Sequence, residues 1–174
     1  MKFQKNHFID RVLDPGAAQK IERTAFWARE LWLLPILILA ALVRVYGSTA
    51  SAIWCDEGSS LLMSQYSPAL IWFHSAHDVH PPLYYFLLHL WIEVFGNGIF
   101  SVRSMSVVPG ILTVALGVWL VQLIATRRAA ILAGVLLALL PIAVRYSQEV
   151  RMYSLMGFWL MGATIALVYW VKNP

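Results

Sequence analysis

Cysteine is nearly absent: Cys55 stands alone, so no intrachain disulfide can form and cysteine usage says nothing about compartment. Charge is scarce as well. Only 13% of the residues are charged against 60% hydrophobic, and the mean hydropathy is positive. That balance excludes a disordered segment and argues against a soluble domain. There is no Gly-rich nucleotide fingerprint, no zinc motif with a partner cluster, no internal repeat and no low-complexity run. Basic residues do not form a stripe with interleaved aromatics, which argues against a nucleic-acid partner.

Long apolar runs fill the space those features leave. Lys2, Lys5, Arg11, Lys20, Arg23 and Arg29 precede the first run, which marks 1–30 as an inside-facing, cytoplasmic amphipathic segment, with Asp14-Pro15 as a helix start. This polar stretch is too long for the charged leader of a cleavable signal. LWLLPILILAALVRVY (31–46) is the first span, reaching the roughly 20 residues a bilayer needs when extended back through Phe26 and Trp27. Arg44 near its far end is expected to snorkel to the outer boundary. Further spans follow at 108–124, at 129–146 and from Tyr153 to Val171. HPPLYYFLLHLWIEVFG (80–96) is shorter and carries Tyr85, His89 and Glu93 on one helical face, which favours lying in the interface over crossing. With Arg127 and Arg128 inside, the pattern predicts an all-α integral membrane protein. It has about four transmembrane helices in 31–174, with amphipathic interfacial helices in a first outer loop (47–102) and a second outer loop at 147–152. A five-span reading puts those two arginines outside. Eight Trp, seven Tyr and eight Phe suit a chain with many residues at membrane boundaries.

This topology gathers the polar outliers on one side. WCDEGSS (54–60) puts Asp56 and Glu57 together where the chain leaves the first span, a costly place unless they are solvated or paired. They fit either an exposed loop in which Asp56 caps a short helix, or a carboxylate that takes a proton from a hydroxyl or holds a metal. Cys55 between them and Trp54 reads as a small buried residue. In HDVHPPLYY the proline pair makes His80 extended and sets it at a helix start, where free N–H groups favour an anion; an incidental His before a helix start fits equally. His74, His77 and His80 are spaced by threes, but the prolines break the geometry that would align them on a metal. A divalent cation, Mg2+ or Mn2+, loosely held by Asp56 or Glu57 fits better. YSQEVRMYS (146–154) brings Glu149 and Arg151 between two spans, as a stray ion pair in a turn or as part of a wet site. Arg103 is either a snorkelling anchor or a phosphate clamp.

Taken in order, W-x-DE-x-x-S, HPPLYY with LLHLW and FG, Arg103-Ser104, Arg127-Arg128 and YSQE-x-RMY resemble the lipid-linked-sugar glycosyltransferases of the GT-C class. Among these the chain looks most like the bacterial protein O-mannosyltransferases and the aminoarabinose transferases of lipid A, over roughly Arg44 to Leu155. The resemblance implies an enzyme of the bacterial inner membrane that moves a sugar from a polyprenyl phosphate to an acceptor hydroxyl on a glycan, lipid or protein, outside the cell. It assigns Asp56 to acceptor activation with Glu57 beside it, and His80, Arg103, Glu149 and Arg151 to the donor phosphate. Members of this class usually carry more spans. The alternative is therefore a truncated or non-catalytic part of a split enzyme, with a second polypeptide supplying the missing spans. A small transporter would place charges near mid-span, and here they sit at span ends.

Overall fold

The computed structural model describes residues 31–77 and 81–172. Among them all regular structure is helical: α1 (Leu33–Val45), α2 (Cys55–Ser64), α3 (Pro68–Ser75), α4 (Pro82–Phe95), α5 (Ile99–Ile124), α6 (Arg127–Leu139), α7 (Pro141–Ser147) and α8 (Tyr153–Lys172). The expected segment 1–30 and His80 lie outside the described residues. The chain divides into two compact units, Met1–Leu34 and Pro35–Pro174. The described part of the first is a turn in which the Leu34 N–H donates to the Leu31 carbonyl at 3.1 Å.

Two helices are long and apolar enough to cross a bilayer, α5 with 26 residues and α8 with 20. At 1.5 Å per residue they measure about 39 and 30 Å. α6 and α7 make a third candidate when taken together, bent by 56°. α1 and α4 are apolar but shorter, at 13 and 14 residues. Two or three candidate spans therefore stand among the described residues where the hydropathy pattern predicts about four. The first expected span is described only in its α1 portion.

The run 129–146, expected as one straight span, is broken at Pro141. Proline lacks an N–H and its ring clashes with the preceding turn, so Leu140 is forced out of the helix to φ −60° and ψ 113°. The break leaves carbonyls at the end of α6 without intrahelical donors. Arg44 supplies them: Nη1 donates to the Ala138 carbonyl at 2.9 Å and Nη2 to the Leu137 carbonyl at 3.2 Å. This corrects the snorkelling expectation. Arg44 is buried because the broken helix offers its guanidinium acceptors that lipid could not.

α5 packs along α6 and α8. Gly134 makes the α5–α6 approach possible, since a Cβ there would lie 2.6 Å from Val118 Cγ2. At Gly157 and Gly162 of α8 a Cβ would meet nothing within 4 Å. The segments between spans have a core of their own. Ile71 of α3, Tyr84, Tyr85 and Leu88 of α4, Val102 and Met105 of α5, and Val150 form one buried cluster. The Trp91 Nε1–H donates to the Ser101 carbonyl at 3.0 Å, and the His89 Nδ1–H to the Ser64 carbonyl at 2.7 Å. His89 thus ties α4 to the end of α2. This cluster fixes α2–α4 against the first turns of α5 and the 147–152 connection, and the polar groups meet there.

Candidate functional site

α2 begins two residues earlier than an Asp56 cap would allow. Trp54 is the N-cap, and Cys55, Asp56 and Glu57 form the first turn, where acids are favoured by the helix dipole. Cys55 is exposed at that turn, not buried as its small apolar side chain implied. Successive positions on the turn point about 100° apart, which separates the fates of the two acids.

Glu57 is turned fully inward. Arg103 Nε donates to its Oε1 at 2.9 Å and Nη2 to its Oε2 at 2.7 Å, a two-pronged pair in which both side chains are buried. The Val150 N–H adds 2.9 Å to Oε1 and the Trp54 N–H a longer 3.4 Å to Oε2. Burial alone would raise the Glu57 carboxyl; the Arg103 and Val150 donors outweigh it and hold the group below the usual carboxylate range. Arg103 spends its other N–H groups on the Ser48, Ser51 and Ala52 carbonyls, at 2.7, 3.0 and 3.2 Å. A guanidinium has five N–H donors, and all five are engaged within the protein. Arg103 lies inside α5, one turn past its start, not ahead of the span.

Asp56 faces the other way and its side chain is 48% exposed. Its Oδ2 lies 3.7 Å from Arg151 Nη2, and Arg151 Nη1 reaches the Asp56 backbone carbonyl at 3.4 Å. Arg151 is buried, its Nη2 is 3.5 Å from Tyr153 Oη, and its guanidinium sits 5.6 Å from the Tyr153 ring centre. Desolvation would lower its pKa, but Tyr153 and Asp56 more than offset that, so it stays charged. Its Nε has no hydrogen-bond partner among the described residues. An apolar groove of about 470 Å³ opens beside it, walled by Pro81, Tyr84, Tyr153, Trp159, Leu160 and Ala163 between α4 and α8. Burial pushes the Tyr84 phenol far above its ordinary value, so it enters this wall as a neutral hydroxyl.

The 147–152 connection is held from below. Gln148 Nε2 donates to the Val43, Arg44 and Tyr46 carbonyls at 3.2, 3.2 and 2.8 Å, closing the end of α1. Glu149 accepts from Arg145 Nε at 3.1 Å. A second cavity of about 320 Å³ lies here, bounded by Trp54, Glu57, Arg103, Arg145, Gln148 and Glu149.

The model of a family described as dolichyl-phosphate-mannose-protein mannosyltransferase matches residues 79–173. The chain belongs to this family. No curated protein and no solved structure matches it. As a family member the chain is a membrane glycosyltransferase of the GT-C type. The matched stretch contains His80, Arg103, Glu149 and Arg151, whereas Asp56 and Glu57 precede it. Two ion pairs tie the acids to the matched region, Glu57–Arg103 and Asp56–Arg151.

Of the residues singled out from the sequence, Asp56 and Arg151 come together as an ion pair, next in the chain to the groove-lining Met152 and Tyr153. Glu57 and Arg103 come together as a buried pair with no donor or carboxylate oxygen left over. Glu149 belongs to the second cavity with Arg145. His80 lies outside the described residues, although Pro81 and Pro82 start α4 as expected. Among the described residues no three His, Cys, Asp or Glu side chains gather. With Glu57 committed to Arg103, the donor set does not fit a cation shared by both acids. Sequence reasoning passed over Gln148 and read Arg44 only as a snorkelling residue. Pro141 was the signal for Arg44, because a helix broken in an apolar run needs an outside donor.

Proposed function

We propose that this family member transfers a sugar from a polyprenyl-phosphate donor to an acceptor hydroxyl on the outer face of a bacterial inner membrane. Asp56 is the general base. Its carboxylate takes the proton as the acceptor oxygen bonds to the anomeric carbon. The bond from that carbon to the phosphate oxygen breaks, the phosphate keeps the electron pair, and in-line attack inverts the configuration. Charge grows on the phosphate during this step, so a cation beside it stabilises the transition state more than the ground state. Arg151 is that cation, joined by His80 ahead of the prolines. The apolar groove along α8 receives the first units of the lipid. Glu57 and Arg103 hold the turn that aims Asp56.

The observation that carries this reading is the Arg151 guanidinium. It is buried and charged, has an unspent Nε–H, lies 3.7 Å from a half-exposed carboxylate, and is followed in the chain by Met152 and Tyr153, which line the apolar groove. A buried unsatisfied donor of this kind is costly unless a ligand completes it. The test is Asp56→Asn in membranes supplied with labelled polyprenyl-phosphate sugar. Transfer should fall by about 10²–10⁴-fold, as expected for loss of a general base. Transfer at the unmodified rate removes Asp56 from the chemistry.

A further inference from the structure

The second cavity is not used by that reaction scheme, and its lining is unlike the groove's. Its floor is the buried Glu57–Arg103 pair, with both side chains at 2% exposure or less. One wall is Trp54, which is 46% exposed and whose backbone is extended at φ −97° and ψ 173°. The Arg145–Glu149 pair also lines it, with Arg145 71% exposed and Glu149 13%. Gln148, held by three carbonyls, completes the lining. The cavity measures about 320 Å³, at the small end of the usual range for ligand pockets.

From this composition we infer that the cavity is a binding subsite for one neutral pyranose ring, the acceptor sugar of the transfer. The inference rests on the transferase reading and names the acceptor class as a glycan. Three features argue for a sugar. An exposed indole offers a flat apolar face on which the C–H side of a pyranose can lie while its rim stays polar. Glu149 and Arg145 present a planar carboxylate and a planar guanidinium side by side, matched to the acceptor and donor needs of neighbouring hydroxyls. The opposed charges of that pair, above a neutralised floor, favour a neutral ligand over an anion. Position argues for an acceptor. Glu57 in the floor and Asp56 are consecutive on one helical turn, so the cavity opens beside the turn that carries the proposed base.

The ordinary alternative for Trp54 is an interfacial anchor that touches headgroups and no sugar. Saturation-transfer NMR separates the two. The full chain in lipid nanodiscs is mixed with millimolar methyl glycosides of glucose, galactose and mannose. Wild-type protein should transfer saturation to the ring protons of at least one. Trp54→Leu should weaken binding about three- to tenfold, the range for losing one stacked ring. Glu149→Gln should also weaken it while keeping the side-chain shape, which guards against misfolding of the first variant. Trp72→Leu, an exposed indole on α3 outside the cavity, should change nothing. Absence of transfer in the wild type, or equal signals in wild type and Trp54→Leu, overturns the inference. Because this readout needs neither donor nor turnover, it stands or falls apart from the Asp56 experiment.

Discussion

Neighbouring carboxylates can do opposite things when one helical turn divides them. Asp56 keeps a half-exposed carboxylate near Arg151, whereas Glu57 gives both oxygens to Arg103 and to backbone N–H groups. A buried pair of this sort is a poor source of net stability, yet removing one member leaves the other charge stranded. Glu57→Gln should therefore cost on the order of 3–5 kcal/mol, read as a lower unfolding temperature in detergent. The pH dependence has a definite sign. The folded-state pKa of Glu57 is lowered from an ordinary value of 4.5. Its contribution is thus fully present above that ordinary value and is lost as pH falls through the lower folded value. The wild type should lose stability as pH drops below about 4.5, and Glu57→Gln should lose less over the same window. Parallel acid profiles for the two proteins would contradict the account.

At the scale of elements, the bend between α6 and α7 depends on a residue 94 positions away in sequence, Arg44. Pro141 breaks the ladder, and the Arg44 guanidinium meets the Leu137 and Ala138 carbonyls that the break exposes. The two residues should therefore be coupled. Arg44→Met should destabilise the wild type by about 1–3 kcal/mol, the cost of leaving buried acceptors unmet. In a Pro141→Ala background the helix can restore its own i→i−4 bonds, so the same substitution should cost less. A double-mutant cycle measures this directly. Strict additivity would mean that Arg44 acts elsewhere.

For the whole molecule, legibility followed range. Helical class, the long apolar runs at 108–124 and 153–171, which fall within α5 and α8, and the helix start at the proline pair could be read because hydropathy and proline chemistry are local. The partners of Arg44, Arg103 and Gln148 could not, since a polar residue in an apolar run announces that it needs acceptors without saying which segment brings them. The order of motifs assigned Asp56 to the acceptor and Arg103 and Arg151 alike to the donor phosphate, but could not tell that Glu57 and Arg103 would consume each other. The groove between α4 and α8 was equally invisible, because it depends on how two helices diverge. Its walls lead to a last expectation. Ala163 lines the groove, farther along α8 than Tyr153 and beyond the charged groups. Ala163→Trp would fill that space without touching Asp56 or Arg151. If the lipid of the donor lies there, the apparent affinity for a long-chain polyprenyl-phosphate sugar should fall about tenfold, equivalent to losing the burial of one or two methylene groups. A donor with a tail too short to reach Ala163 should be used almost unchanged. Equal losses for both donors would place the lipid elsewhere, because only a tail that passes Ala163 can sense the added ring.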